Sequence, residues 1–195
     1  NDQATGPEYE MTEAFAEHLG VKTEYRVFHT THEILDALEN GQGDLAAAGM
    51  TKTIISNKRF LFGPTYQEVQ QQIVCRNGVK QTREINDLLS LKLVVPKNSS
   101  YERTLNNFKI GVPDLTWEST DQLNSEQLFE KMWRAEIDCT AVDSNITSIN
   151  RRYFPELTVA FELTKAEPLA WVLRPNSSDL LKVVEAWFKD FKSNG

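Results

Sequence analysis

The sequence is poor in the residues that carry metal and redox chemistry, with two cysteines, three histidines and three methionines among 195 residues. Cys75 and Cys139 each lie in an apolar, strand-like run without a metal-type neighbour, so two buried thiols are expected rather than a zinc site, with a bridge between them the unsupported alternative. His18, His29 and His32 have no second ligand at helical spacing, which predicts surface or capping roles and no metal. The nine glycines never gather into a phosphate-cradling or dinucleotide loop. Gly-x-Ser-x-Gly and His-Glu-x-x-His are absent as well, and no two carboxylates are set apart for acid–base work, so neither catalytic residues nor a cofactor are expected. Positive charge is outweighed, 21 Lys and Arg against 28 Asp and Glu, for a net charge of −7. The basic residues are scattered, which argues against nucleic acid as a partner. No apolar run approaches membrane-spanning length, so no membrane contact by this segment is expected. The chain opens at Asn1 with neither Met nor a signal peptide, as expected of a processed or excised segment.

What is present is a duplication. Residues 35–49 reappear without insertion as residues 129–143, in a constant register of 94. Leu35, Leu38 and Asp44 answer to Phe129, Met132 and Asp138, and Gly49 answers to Asp143. Each copy reads as the end of an amphipathic helix, a tight turn, an Asp and a short strand of small residues, which is half of a βαβ unit. An apolar fraction of 40% over this length suits one large domain or two small lobes with cores of their own.

Residues 8–19 place Met11, Phe15 and Leu19 on one helical face and stop at Gly20. Val21, Thr23, Tyr25 and Val27 alternate with polar residues and predict a strand. Thr30 and Glu33 form a capping box for the next helix, and residues 44–50 a buried strand. Residues 69–75 are extended and lead into the breaker Asn77-Gly78, where a boundary is expected. Beyond it come a short helix at 85–89, a strand at 92–95, a helix capped by Ser99-Ser100 and a helix capped by Ser125. The second repeat, a helix over 146–153, strands at 157–161 and 169–173, and a helix from Ser178 complete the order. Trp117, Trp133, Trp171 and Trp187 are expected mostly in core or hinge packing.

This alternation predicts an α/β fold of two lobes, residues 1–77 with 168–195 and residues 78–167, each a mostly parallel sheet flanked by helices. The extended segments near 69–75 and 169–173 are expected to be the two crossings between lobes. A parallel sheet whose first element is a helix normally has a strand before it, and only residues 1–7 stand ahead of Glu8.

In such sheets ligands meet the carboxyl ends of the strands. Ala48, Gly49 and Thr51 stand there in the first lobe, and Asp143 in the second. Ser99 and Ser100 open a helix whose N-terminal amides suit a carboxylate, and Asp143 suits an ammonium group. Thr31 and Tyr101, near the same helix starts, complete the candidate contacts. Together they fit a zwitterion. The serines equally read as plain caps, Asp143 as a cap for the helix at Ile146, and Thr51 as the start of a turn.

The runs Gly43-Asp-Leu-Ala-Ala-Ala-Gly-Met-Thr51, Phe62-Gly-Pro-Thr-Tyr66 and Asp138-Cys-Thr-Ala-Val-Asp143 resemble those of the periplasmic solute-binding proteins of the polar amino-acid type. Arg59-Phe-Leu-Phe, Val69-Gln-Gln-Gln-Ile-Val, Asn150-Arg-Arg-Tyr-Phe-Pro and Pro168-Leu-Ala-Trp are similar, more narrowly, to the amino-terminal module of membrane-bound lytic transglycosylases. The resemblance implies a two-lobed, type II periplasmic-binding-protein-like fold joined by two crossing strands, with a small zwitterionic ligand, an amino acid or muropeptide, between the lobes. It implies a Gram-negative periplasm, a parent attached to the outer membrane, and a separate C-terminal catalytic domain cleaving peptidoglycan. This chain would then be noncatalytic and regulatory; the alternative is a free amino-acid-binding protein of an ABC transporter. The amino-acid binders of the family carry an Arg five residues after the Thr as a carboxylate clamp. Here that position is Ser56, and Arg59, three residues on, belongs to the Arg-Phe-Leu-Phe run and is not assigned the clamp role.

Overall fold

The computed structural model describes residues 7–28, 30–52 and 59–194. It divides into two compact units, one of Asn1–Glu68 with Glu167–Gly195, the other of Val69–Ala166. Helices are α1 (Pro7–Leu19), α2 (Thr31–Glu39), α3 (Ser100–Gly111), α4 (Ser125–Trp133), α5 (Ser144–Asn150) and α6 (Ser178–Ser193), with a 3-10 turn at Ile85–Ser90. The first unit holds strands β1 (Leu45–Ala46), β2 (Leu61–Phe62), β9 (Glu167–Leu169) and β10 (Val172–Leu173). The second holds β4 (Gln71–Cys75), β5 (Val94–Pro96), β6 (Glu118–Thr120), β7 (Cys139–Asp143) and β8 (Thr158–Glu162). The chain passes between units within or beside β3 (Gln67–Val69) and β9, which pair with each other.

The two copies of the repeat fold alike. Both ends of α2 and α4 keep the 94-residue offset, as do the starts of β1 and β7. Each helix is capped by a side chain that accepts the amide three residues on, Thr30 from Glu33 and Asn124 from Gln127. Each ends in the same hydrogen bonds: Gly41 N–H to the Leu38 carbonyl and Gln42 N–H to Ala37, against Ala135 N–H to Met132 and Glu136 N–H to Lys131. That turn requires a left-handed residue, Gly41 at φ 75° in one copy and Ala135 at φ 58° in the other. The Asp of each copy also meets an arginine one residue beyond a neighbouring strand. Arg174 follows β10 and reaches Asp44 at 3.3 Å; Arg76 follows β4 and reaches Asp138 at 2.8 Å.

Strand direction amends the sequence expectation. In the first unit β10 lies between β1 and β2 and is antiparallel to both. In the second, β4 lies between β7 and β8 and is antiparallel to both, whereas β5 pairs parallel with β6 and joins β7 through a parallel bridge at Leu93 and Cys139. The strands of the βα pattern therefore share one direction in each unit. Against them runs a single strand that follows a passage of the chain from the other unit. An antiparallel neighbour needs no crossover helix, so a returning chain can be laid between two parallel strands. Segments 69–75 and 169–173, expected as extended crossings between lobes, supply these central strands.

Both faces of each sheet are buried, with period-two alternation. In the second unit Ile73, Cys75, Val95 and Ala141 face a core closed by Tyr101 and Leu105 of α3. Val74, Val94 and Val142 face the opposite core, closed by Leu128, Phe129 and Met132 of α4. In the first unit Leu173 packs with Phe15 of α1 and with Val184, Trp187 and Phe188 of α6, while Val172 and Ala46 pack with Leu38 of α2. Of the tryptophans, Trp171 and Trp187 are core residues, but Trp133 is exposed, because it closes α4 on the outer side.

The cysteine expectation is overturned. Cys75 and Cys139 are directly opposed residues of β4 and β7, and they form a disulfide. Both are buried thiol positions, but strand pairing across 64 residues of sequence brings the sulfurs together. In the chain-entropy account, closing a loop of that length stabilises by about 4 kcal/mol.

Two other expectations also changed. Residues 21–28 form no strand, although Gly20 ends α1 as expected at φ 69°. Asn124, not Ser125, caps α4, and Gln127 returns the bond to complete a capping box.

Candidate functional site

The candidate residues fall into two groups, one in each unit. In the first, the chain runs on from β1 through Ala47 and Ala48 to Gly49, which adopts φ 62°, and the exposed Ala48 and Gly49 precede the buried Met50. Thr51 forms an antiparallel bridge with Leu169, which anchors this rim to the strand beside β10. Thr31 opens α2 as an exposed residue. The Gly49 amide, a candidate ligand donor, already donates to Glu8 Oε1 at 3.1 Å. The other oxygen of Glu8 accepts from Trp171 Nε1 at 3.2 Å. Burial pushes the Glu8 carboxyl above its usual range, and these two donors pull the other way. Sequence reasoning missed Glu8, since one acid in an acid-rich first helical turn carries no visible signal. Ser56 lies outside the described residues, and Arg59 pairs with Glu39.

The second unit gathers its candidates more closely. Ser99 is the N-cap of α3: its hydroxyl donates to the Pro96 carbonyl at 2.6 Å and accepts the Glu102 amide at 3.3 Å. Glu102 in turn accepts the Asn98 amide at 2.6 Å and bonds Ser119, whose hydroxyl is the leading cause of its lowered pKa. Ser100 begins the helix proper, and the buried Tyr101 beside it accepts the Asp143 amide at 3.1 Å. Burial, then the negative charge of Asp143, drives the Tyr101 phenol well above its ordinary pKa, so it stays a neutral donor and acceptor. Asp143 ends β7 at the N-cap position of α5, yet its carboxylate makes no capping bond there.

Directly across the β4–β7 ladder from Asp143 stands Gln71. It is 9% exposed, and its side-chain oxygen is buried with no hydrogen-bond partner. Opposed residues project to the same face, so Gln71 and Asp143 offer two acceptors side by side. An unsatisfied buried acceptor costs about 1–3 kcal/mol, a cost that a ligand donor would relieve. The signal was visible in Gln70-Gln71-Gln72, three amides opening an otherwise apolar strand.

The family model of the bacterial extracellular solute-binding proteins, family 3, matches residues 1–195. The chain belongs to that family. Among curated relatives of this solute-binding protein, the membrane-bound lytic murein transglycosylase F of Pseudoalteromonas translucida is 35% identical over 97% of the chain and 40% of its own length. Membrane-bound lytic murein transglycosylase F 2 of Alkalilimnicola ehrlichii is 39% identical over 96% of the chain and 42% of its own length. The solute-binding chain thus spans about 40% of the relatives it matches. Among solved structures, an ancestral cationic amino acid solute binding protein superposes at a TM-score of 0.81 with 26% identity, over 100% of this chain and 83% of that one. The P235GK mutant of ArgBP from T. maritima superposes at 0.80 with 20% identity, over 99% and 82%, a likeness of fold alone. The α/β architecture is thus the type II periplasmic-binding fold. A family of extracellular proteins agrees with the disulfide, which persists in oxidising compartments. Among the described residues no helix is long and apolar enough to cross a membrane.

Proposed function

We propose that this chain is a noncatalytic sensing module of a peptidoglycan lytic transglycosylase, and that it binds an amino acid or a cell-wall peptide fragment. The observation that carries the reading is the Gln71–Asp143 pair of acceptors beside the neutral Tyr101 hydroxyl, a set matched to an ammonium group. The start of α3 would supply donors for the carboxylate, with Ser99 holding the helix start in place rather than serving as the main donor. Relatives named membrane-bound lytic murein transglycosylase F support the transglycosylase setting; a Gram-negative periplasm, a parent held at the outer membrane and a catalytic domain following this chain belong to the same proposal. Ligand binding would regulate that domain only through different affinities for two conformations. Calorimetric titration of the module with free amino acids and muropeptides tests the reading. A saturable heat with at least one is expected, and no heat together with no thermal shift from any of them overturns it.

A second reading, a free amino-acid-binding protein of an ABC transporter, is favoured by the 26% identity to the ancestral cationic amino acid solute binding protein over the whole chain. A native reading frame that encodes a catalytic domain after Gly195 supports the first, and a stop codon there the second.

A further inference from the structure

The cross-link between Cys75 and Cys139 lies in the same ladder as the acceptor pair Gln71 and Asp143. Residues 71, 73 and 75 of β4 project to one face, and residues 139, 141 and 143 of β7 project to the same one. On that face only the Ile73–Ala141 pair stands between the disulfide and the two acceptors. Ile73, Cys75, Cys139 and Ala141 are all buried in the core that holds Tyr101. A covalent tie at one end of so short a ladder limits what its other end can do.

The first unit contains the same ladder without a tie. The 94-residue offset carries Cys139 back to Leu45, and Leu173 precedes Arg174 as Cys75 precedes Arg76. Leu45 and Leu173 are directly opposed, so an apolar pair occupies the place of the disulfide. That ladder keeps its register through Leu45–Leu173 and Ala46–Val172, and next pairs Thr51 with Leu169. Six steps along one strand thus answer to four along the other, and the two extra residues fall between Ala46 and Thr51, where Gly49 adopts φ 62°. Gly49, the counterpart of Asp143, is carried out of register. Asp143 is not, because the β4–β7 ladder runs unbroken from Cys75–Cys139 to Gln71–Asp143.

A shift of two residues is the one a buried sheet resists least, since it leaves every side chain on its own face. In the second unit it would set Ile73 opposite Asp143 and take Gln71 away. The neighbouring strand β8 does not forbid it, for its own pairing with β4 shifts between Ile73 and Val74. The bonds at the far end, from Ser144 N–H to the Gln70 carbonyl and from Leu163 N–H to the Gln71 carbonyl, are backbone bonds that any residue makes. The Arg76–Asp138 contact recurs as Arg174–Asp44 beside the shifted ladder, so it does not set the register either.

We propose that Cys75 and Cys139 are positioning residues for the ligand site, their disulfide holding β4 and β7 in the register that sets Gln71 across from Asp143. The inference rests on the ammonium reading of that pair for its function, and on the two ladders alone for its structure. The test compares the native chain with Cys75→Ala/Cys139→Ala at a temperature where both are folded. Register is read without ligand, from nuclear Overhauser contacts between Gln71 and Asp143. Binding is read by calorimetry with the best-bound of the free amino acids and muropeptides and with its N-acetylated form. In the variant the Gln71–Asp143 contact should be lost, affinity for the amine should fall about tenfold, and affinity for the N-acetylated form should stay within about twofold. A variant that keeps the contact, or loses it with the amine preference intact, overturns the proposal; a lower unfolding midpoint alone is what a purely stabilising disulfide gives. If that variant does not fold, Cys75→Val/Cys139→Val, an apolar pair in the manner of Leu45 and Leu173, carries the same expectations. A native chain that binds none of these ligands overturns the ammonium reading, and the Gln71–Asp143 contact then decides the register claim by itself.

Discussion

At the scale of single residues, the two copies of the repeat expose their own compromises. Gly41 and Ala135 fill equivalent left-handed positions, but only glycine does so without a Cβ clash. Replacing Ala135 by Gly should raise stability by about 0.5–1 kcal/mol in urea unfolding, the clash relieved less the added freedom of the unfolded chain. No change, or a loss, would show that the turn is not held as described. Glu8 offers a pH readout. Its folded pKa is raised above the ordinary 4.5, so its contribution to stability is fully present below that value and is lost as pH rises through the folded pKa. As pH rises above the ordinary carboxylate range the protein should therefore lose stability relative to a Glu8→Gln variant, measured by chemical unfolding at each pH. A difference that stays constant with pH would contradict the burial assigned to this carboxylate.

At the scale of elements, helices were the most legible part of the sequence because their signals are local. Gly20, Thr30 and Ser99 mark helix ends by chemistry confined to one turn, and each stands where that chemistry requires. The error at α4 was also local: Asn124 and Ser125 are both good caps, and only the bond to Gln127 separates them. Asn124→Ala should cost about 1 kcal/mol and Ser125→Ala well under half of that, by urea denaturation. The reverse order would return the cap to Ser125. Strands were less legible. The alternation at Val21–Thr23–Tyr25–Val27 is a sound strand pattern, but a strand exists only with a neighbour, and pairing is not written in its own residues. The antiparallel placement of β4 and β10 and the Cys75–Cys139 bridge are likewise long-range facts.

At the scale of the whole molecule, the duplication is what the sequence recorded best. An offset of 94 residues carries through helix, cap, turn, Asp and strand, and an Asp–arginine contact to a neighbouring strand recurs in each unit. The candidate site was legible where it depends on the repeat, at Gly49 and Asp143, and where it depends on a helix start, at Ser99 and Ser100. Glu8 was not legible, because its importance comes from burial that only the packed structure supplies, and Gln71 showed only as one of three consecutive amides before an apolar run. The account stands on an ammonium group held by Asp143 and Gln71. Its most direct test is the affinity for the best-bound amino acid or muropeptide and for its N-acetylated form, measured by calorimetry on the native chain and on Asp143→Asn. N-acetylation and the substitution should each weaken binding by about ten- to a hundredfold, and together by little more than either alone, because both remove one contact. Unchanged affinity for the acetylated ligand, or losses that simply multiply, would contradict it.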